Sequence, residues 1–244
     1  MNSINVEICV DSLDSALVAQ STGAYRIEYC NNLSEGGTTP SIAQIKFARK
    51  LLYINLYILI RPRGGDFLYN DIEFEIMKSD IHHCGKIGCD GVAIGILYAD
   101  GSIDKNRCKD LINIAHTYSM GVTFHRAFDR CRNLFESMED IIETGCERIL
   151  TSGGKNTALE GMSTIRQLVQ QSDKRIIIMP GGGITPENAA DIIRHTGTTE
   201  LHGTFKSRYL GKMSYKNTEL IDQEQEYSIS LADFEKIKKV VSSL

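Results

Sequence analysis

Short apolar runs and amphipathic stretches alternate along the whole chain. The runs at 6–10, 25–30, 56–60, 91–97, 122–125, 148–151, 175–179 and 199–202 are rich in Val, Ile and Leu and read as strands. Between them apolar residues recur at helical spacing, as in Leu13, Ala16 and Leu17, or Ile42, Ile45 and Ala48. Asp11 or Ser12 supplies a cap for the first helix. Further helices are predicted from Pro40 onward and over 71–84, 104–118, 133–144, 157–171 and 186–195. A long polar loop then precedes a last helix over 231–241. Eight strands alternating with eight helices predict parallel strands joined by helical crossovers, an α/β fold.

Gly23, Gly88, Gly145 and Gly197 each fall just before an even-numbered strand, where each would close a helix in the left-handed conformation. That cadence suggests quarter-units and a single TIM (β/α)8 barrel domain spanning 1–244. A doubly wound open sheet is the rival architecture. It usually carries G-x-G-x-x-G after the first strand, and none stands there. No nucleotide cofactor is expected.

The length of 244 residues suits this fold, which typically takes about 250. A net charge of -4 and a pI near 5.9 give no global attraction to nucleic acid or to an acidic membrane. No basic-then-apolar leader opens the sequence, and no apolar run approaches the roughly 20 residues of a membrane span. A cytoplasmic protein is expected. The seven cysteines are scattered, without a Cys-x-x-Cys, which fits a reducing compartment and buried thiols.

Polar residues interrupt the strands near their ends, where the functional groups of such barrels sit. Side chains alternate along a strand, so Glu7 and Cys9 share one face, as do Arg26, Glu28 and Cys30. Collecting strand ends gives Glu7, Arg26, Glu28, Arg61, Arg63, His125, Arg126, Asp129, Ser152, Glu200 and His202. These groups could simply pair with one another, but titratable clusters in a cleft more often mark a site. His125 and His202 are acid–base candidates, with Glu7 and Glu28 beside them and arginines keeping the carboxylates ionised. The same four residues could hold a divalent metal at the barrel mouth. Arg61, Arg63 and Arg126 could bind a planar or phosphorylated anion, with Arg26 a further substrate-binding candidate. Ser152 and the glycine turns after the sixth and seventh strands, with Gly181 and Gly182, would bring backbone N–H groups to that anion. No lysine lies within a late strand, which disfavours a Schiff base. Cys9 and Cys30 end neighbouring strands and could share a soft ion such as copper(I), although two buried thiols are the simpler reading of the residues alone.

Several stretches together resemble the CutC copper-homeostasis family. They include Glu7-Ile8-Cys9-Val10-Asp11, the run from Arg26 through Glu28, Cys30 and Gly36-Gly37 to Ser41, and Ile60-Arg61-Pro62-Arg63-Gly64-Gly65-Asp66-Phe67. Thr123-Phe124-His125-Arg126-Ala127-Phe128-Asp129, Thr151-Ser152-Gly153-Gly154, Pro180-Gly181-Gly182-Gly183 and Glu200-Leu201-His202-Gly203-Thr204 complete the pattern. Tyr29 departs from it, standing where leucine is usual. The resemblance implies a TIM-like barrel, a cytoplasmic location, a homodimer or higher homo-oligomer, and copper handling with Cys9 and Cys30 as ligands. The residues also support another expectation, an enzyme acting on a small anionic or phosphorylated metabolite by acid–base or metal-assisted chemistry. A copper carrier needs two sulfurs, not a mouth lined with arginines, glutamates and histidines.

Overall fold

The computed structural model describes residues 4–217, 219 and 227–244. Eight strands form one parallel sheet: β1 (Asn5–Val10), β2 (Arg26–Tyr29), β3 (Asn55–Leu59), β4 (Gly91–Ile94), β5 (Gly121–Phe124), β6 (Arg148–Thr151), β7 (Ile177–Pro180) and β8 (Glu200–Gly203). Each strand pairs with its neighbours in chain order, and β1 also pairs with β8. A parallel bridge between Gly181 and His202 joins the two remaining edges. The sheet is thus a nearly closed barrel, as the alternation predicts.

The crossover helices are α1 (Leu13–Ser21), α2 (Ile42–Leu51), α3 (Asp71–Ile87), α4 (Lys105–Thr117), α5 (Leu134–Thr144), α6 (Met162–Ser172) and α7 (Ala189–Thr196), and α8 (Phe234–Ser243) follows the barrel. Ser12 caps α1 by accepting from the Ser15 N–H, and Ser41 and Gln44 form a capping box at α2. Gly88, Gly145 and Gly197 end α3, α5 and α7 at positive φ, and Gly23 follows α1 in the same conformation. The helices over 157–171 and 186–195 start later than their patterns predict, because Thr157–Gly161 and Pro186–Asn188 are turns. The predicted polar loop contains an antiparallel hairpin, β9 (Lys206–Leu210) with β10 (Ser228–Ala232). Residues 218 and 220–226 of that loop lie outside the described residues.

Alternation sorts the strand residues into two sets. Ile8, Ile27, Ile58, Val92, Ile149 and Leu201 are buried and belong to the apolar layer between barrel and helices. The opposite parity fills the barrel with Glu7, Cys9, Arg26, Glu28, Tyr57, Arg148, Glu200 and His202, all buried. Register sets their heights: Glu7 pairs with Arg26 and with His202, and Cys9 pairs with Glu28.

Candidate functional site

The floor of the barrel is an ion-pair network. Arg26 pairs with Glu7 and donates to Glu200 at 2.6 Å, and Arg148 donates to Glu200 at 2.6 Å and to Thr123. The Tyr57 ring lies against both guanidinium groups, 4.9 Å from Arg26 and 5.6 Å from Arg148. These charges are buried, and each is paired, which is the condition for keeping charge inside a barrel.

Above this floor lies a pocket of about 260 Å³. Cys9, Glu28, Arg61, His125, Arg126, Gly182 and His202 line it together with Leu33, Leu59, Phe67 and Ile184. His202 connects the pocket to the floor. Its Nδ1 is 2.7 Å from Glu7 Oε1 and its Nε2 is 3.9 Å from Glu28 Oε2. Burial opposes a charge on His202, but the hydrogen bond it donates to Glu7 and the field of Glu28 outweigh it and raise its pKa above the ordinary 6.5. Burial likewise opposes ionisation of Glu7, but Arg26 and His202 prevail and hold its carboxyl well below the usual range. Glu28 differs. Burial dominates and raises its pKa, and no arginine pairs with it among the described residues. The arginine pairing expected of both glutamates is found for Glu7; Glu28 has none among the described residues and feels Arg26 only at a distance.

His125 is not poised for proton transfer. Burial, followed by the Arg61 charge, pushes its pKa down to about 3. Its Nδ1 accepts from the Ala127 N–H at 3.1 Å, which leaves the proton on Nε2, and that atom is buried without a partner among the described residues. His125 is thus a neutral donor in the pocket wall.

The expected anion ligands divide. Arg26 does not line the pocket, because Glu7 and Glu200 hold it in the floor. Arg61 does line it. Its two terminal nitrogens donate to the carbonyls of Glu35, Gly37 and Gly65, drawing together the loops after β2 and β3. Its Nε is buried and unpaired, and no carboxylate pairs with its charge among the described residues. Arg126 is partly exposed and pairs with Asp129 at 2.8 Å. Ser152 lies outside the pocket lining, its hydroxyl donating to the Lys155 carbonyl and accepting from Arg126. Asp129 anchors this corner by accepting from Thr151, Ser152 and Gly154. Gly181 sits below the pocket in the bridge to His202, while Gly182 and Gly183 line it. Arg63 turns outward to Asp66 and Glu73.

The cysteines come together. Cys9 Sγ is 3.8 Å from Cys30 Sγ. Cys9 reaches the pocket, whereas Cys30 is fully buried behind it. Gly37 closes over Cys30: its φ is +91°, and an added Cβ would meet both Leu59 and Cys30. The neighbouring Cys30 thiol, burial and Glu28 together raise the Cys9 pKa well above its ordinary value. Two metal–sulfur bonds of about 2.3 Å span about 3.8 Å at a tetrahedral angle and about 4.6 Å in line. The pair needs about 0.8 Å of opening to take a soft ion in the linear two-sulfur arrangement that copper(I) accepts.

The set expected for a divalent ion changes. Glu7 is held by Arg26 and His202, and His125 stands apart. Cys9, Glu28 and His202 instead offer ligand atoms within 4.8 Å of one another, the one such group among the described residues. Cys9 belongs to both this group and the thiol pair. Arg148 and Tyr57 were not singled out from the sequence. Arg148 opens a strand instead of ending one, and Tyr57 reads as an ordinary apolar strand residue, although both share the inward parity of the selected groups.

The fold and site define a (β/α)8-barrel protein with a thiol-bearing, titratable pocket at its mouth. Comparison narrows this to a family: the chain belongs to the CutC family, whose profile matches residues 4–207. It is 42% identical over 241 residues to the copper homeostasis protein cutC homolog of Homo sapiens, covering 97% of this chain and 88% of the human protein. Identity to the family protein CutC of Pasteurella multocida is 43% over 243 residues, 99% of each chain. The crystal structure of CutC from Streptococcus agalactiae superposes with a TM-score of 0.78 at 36% identity, covering 82% of this chain and 98% of that one.

Proposed function

We propose that this protein takes part in copper homeostasis by capturing copper(I) as cargo on Cys9 and Cys30. The observation that carries the reading is the 3.8 Å separation of the two sulfurs, with Cys9 open to the mouth pocket. Soft thiolates select copper(I), and an ion entering through the pocket meets Cys9 first. His202 and Glu28 lie beside Cys9 and can take up the displaced thiol proton. X-ray absorption on anaerobically loaded protein tests this. Two sulfur neighbours per copper are expected, and a shell of nitrogen and oxygen alone contradicts the reading.

A second reading is favoured by His202, held between Glu7 and Glu28 in a pocket large enough for a metabolite. That arrangement suits proton transfer on a small anion, with Arg61 and Arg126 as the cationic wall. A divalent ion on Cys9, Glu28 and His202 could assist it. Thermal-shift screening of anionic metabolites tests this reading. A ligand that binds only the native state raises the Tm, and absence of any shift contradicts it.

A further inference from the structure

The turn after β7 carries two consecutive glycines at positive φ, Gly182 at +97° and Gly183 at +71°. Both line the mouth pocket, as does Ile184. Their carbonyls are tied to neighbouring segments. Gly182 accepts from the Ala158 N–H at 2.8 Å, and Gly183 accepts from the Asn188 side-chain amide at 2.8 Å. In a trans peptide the carbonyl and the following N–H point in opposite directions. The N–H groups of Gly183 and Ile184 are therefore turned away from Ala158 and Asn188. Those two residues lie outside the pocket lining, so the N–H groups face the side on which the pocket lies. Neither N–H has an acceptor among the described residues.

Two further donors stand at the same rim. The Arg126 guanidinium lies against Gly182, where an added Cβ would come within 3.1 Å of Nη1. Asp129 takes Nε and Ser152 takes Nη2, which leaves Nη1 without a partner among the described residues. Thr204, in the loop after β8, lines the pocket, and its hydroxyl is likewise unpaired among the described residues. Cations also prevail in the lining, where Arg61, Arg126 and His202 face one carboxylate, Glu28.

Donors drawn from three loops suit an anion with acceptors in several directions. A carboxylate offers two oxygens in one plane. A phosphate monoester offers three, with a charge of about −1.5 to −2 at neutral pH. Backbone N–H groups in a turn and a guanidinium are well matched to such a group. Leu59, Phe67 and Ile184 supply an apolar wall for the organic part.

We propose that the mouth pocket binds a small phosphate monoester, its phosphate held by the N–H groups of Gly183 and Ile184, the Thr204 hydroxyl and Arg126. The proposal is independent of copper capture. It rests on the enzymatic reading for its function and names the substrate class of that pocket.

Calorimetric titration of the full chain with glycerol 3-phosphate, glycerate and inorganic phosphate tests it, together with amide NMR spectra. Glycerol 3-phosphate is expected to bind at least about tenfold more tightly than glycerate. Thr204→Val and Arg126→Gln each remove a hydrogen bond to a charged group and are expected to weaken it by at least about tenfold. The Gly183 and Ile184 amide protons are expected to shift downfield as the ester binds. Should Arg126→Gln fail to fold, Thr204→Val and the amide shifts carry the test. Glycerate bound as tightly as the ester overturns the proposal and leaves the enzymatic reading in place. Ester binding that moves neither amide signal, or that is unchanged in both variants, overturns it too. Inorganic phosphate bound as tightly as the ester overturns the assignment of an organic ligand. Ester binding at these groups without any exchange of ligand C–H for solvent deuterium supports the proposal and removes proton transfer.

Discussion

His202 and Glu7, 195 residues apart in the chain, meet at 2.7 Å because β1 and β8 are neighbours in the barrel. The contact makes His202 a cation above the pH at which a free imidazole loses its proton. A raised native pKa stabilises the fold fully below about 6.5, and that contribution is lost as pH rises through the native value. Glu7→Gln is expected to return the His202 titration toward or below 6.5. Histidine Cε1 proton shifts followed by NMR read this directly, and a wild-type His202 titrating at or below 6.5 contradicts the assignment.

His125 behaves in the opposite sense. Its native pKa is about 3, so its contribution is full above about 6.5 and erodes as pH falls toward 3. Across that window the difference in urea stability between wild type and His125→Phe is expected to shrink on acidification, by about 1.4 kcal/mol per pH unit. A difference that stays constant from pH 7 to pH 4.5 would show that His125 takes up its proton in the fold as readily as in the unfolded chain.

Arg26 holds two carboxylates, Glu7 and Glu200, in the barrel floor. Arg26→Met keeps most of the apolar stem and leaves Glu7 without its arginine. A loss of about 3–5 kcal/mol is expected at neutral pH by equilibrium urea denaturation. Glu200 keeps Arg148, so Glu7 is the group exposed by the change. A loss below about 1 kcal/mol would mean that the network adds little stability.

Tyr57 fills the barrel because β4 and β5 begin with glycine. A Cβ on Gly91 would overlap the Tyr57 ring, and one on Gly121 would overlap its hydroxyl and Glu147. Gly91→Ala is expected to destabilise by about 1–3 kcal/mol through overpacking. Adding Tyr57→Leu should recover part of that loss, since the pair is in contact and its effects are not additive. Strictly additive losses would place the ring elsewhere.

The barrel was legible because period-2 alternation set inward polar residues against outward Ile and Val, as in Glu7-Ile8-Cys9 and Arg26-Ile27-Glu28. The convergence of Glu7 and His202 followed from that topology. What alternation does not encode is which inward groups satisfy each other. Arg26 reads from sequence as an anion ligand and is held by Glu200, a residue 174 positions away. His125 reads as an acid–base group, and its burial beside Arg61 becomes visible only once the loops after β2 and β3 close. The hairpin β9–β10 was missed because β9 is polar and mostly exposed, and in β10 only Ile229 and Leu231 alternate with serine, too short a run to stand out beside the following helix pattern.

The pairing of Cys9 with Cys30 is tested most directly by anaerobic copper(I) titration against a chromophoric chelator, in wild type, Cys9→Ser and Cys30→Ser. Because the Cys9 thiol is protonated in the free protein, binding must displace a proton, and wild-type affinity is expected to rise by about tenfold per pH unit for each proton released. Each single variant is expected to lose tight binding, since one sulfur cannot replace the pair. Unchanged stoichiometry and affinity in both variants would contradict the account and move copper away from the barrel mouth.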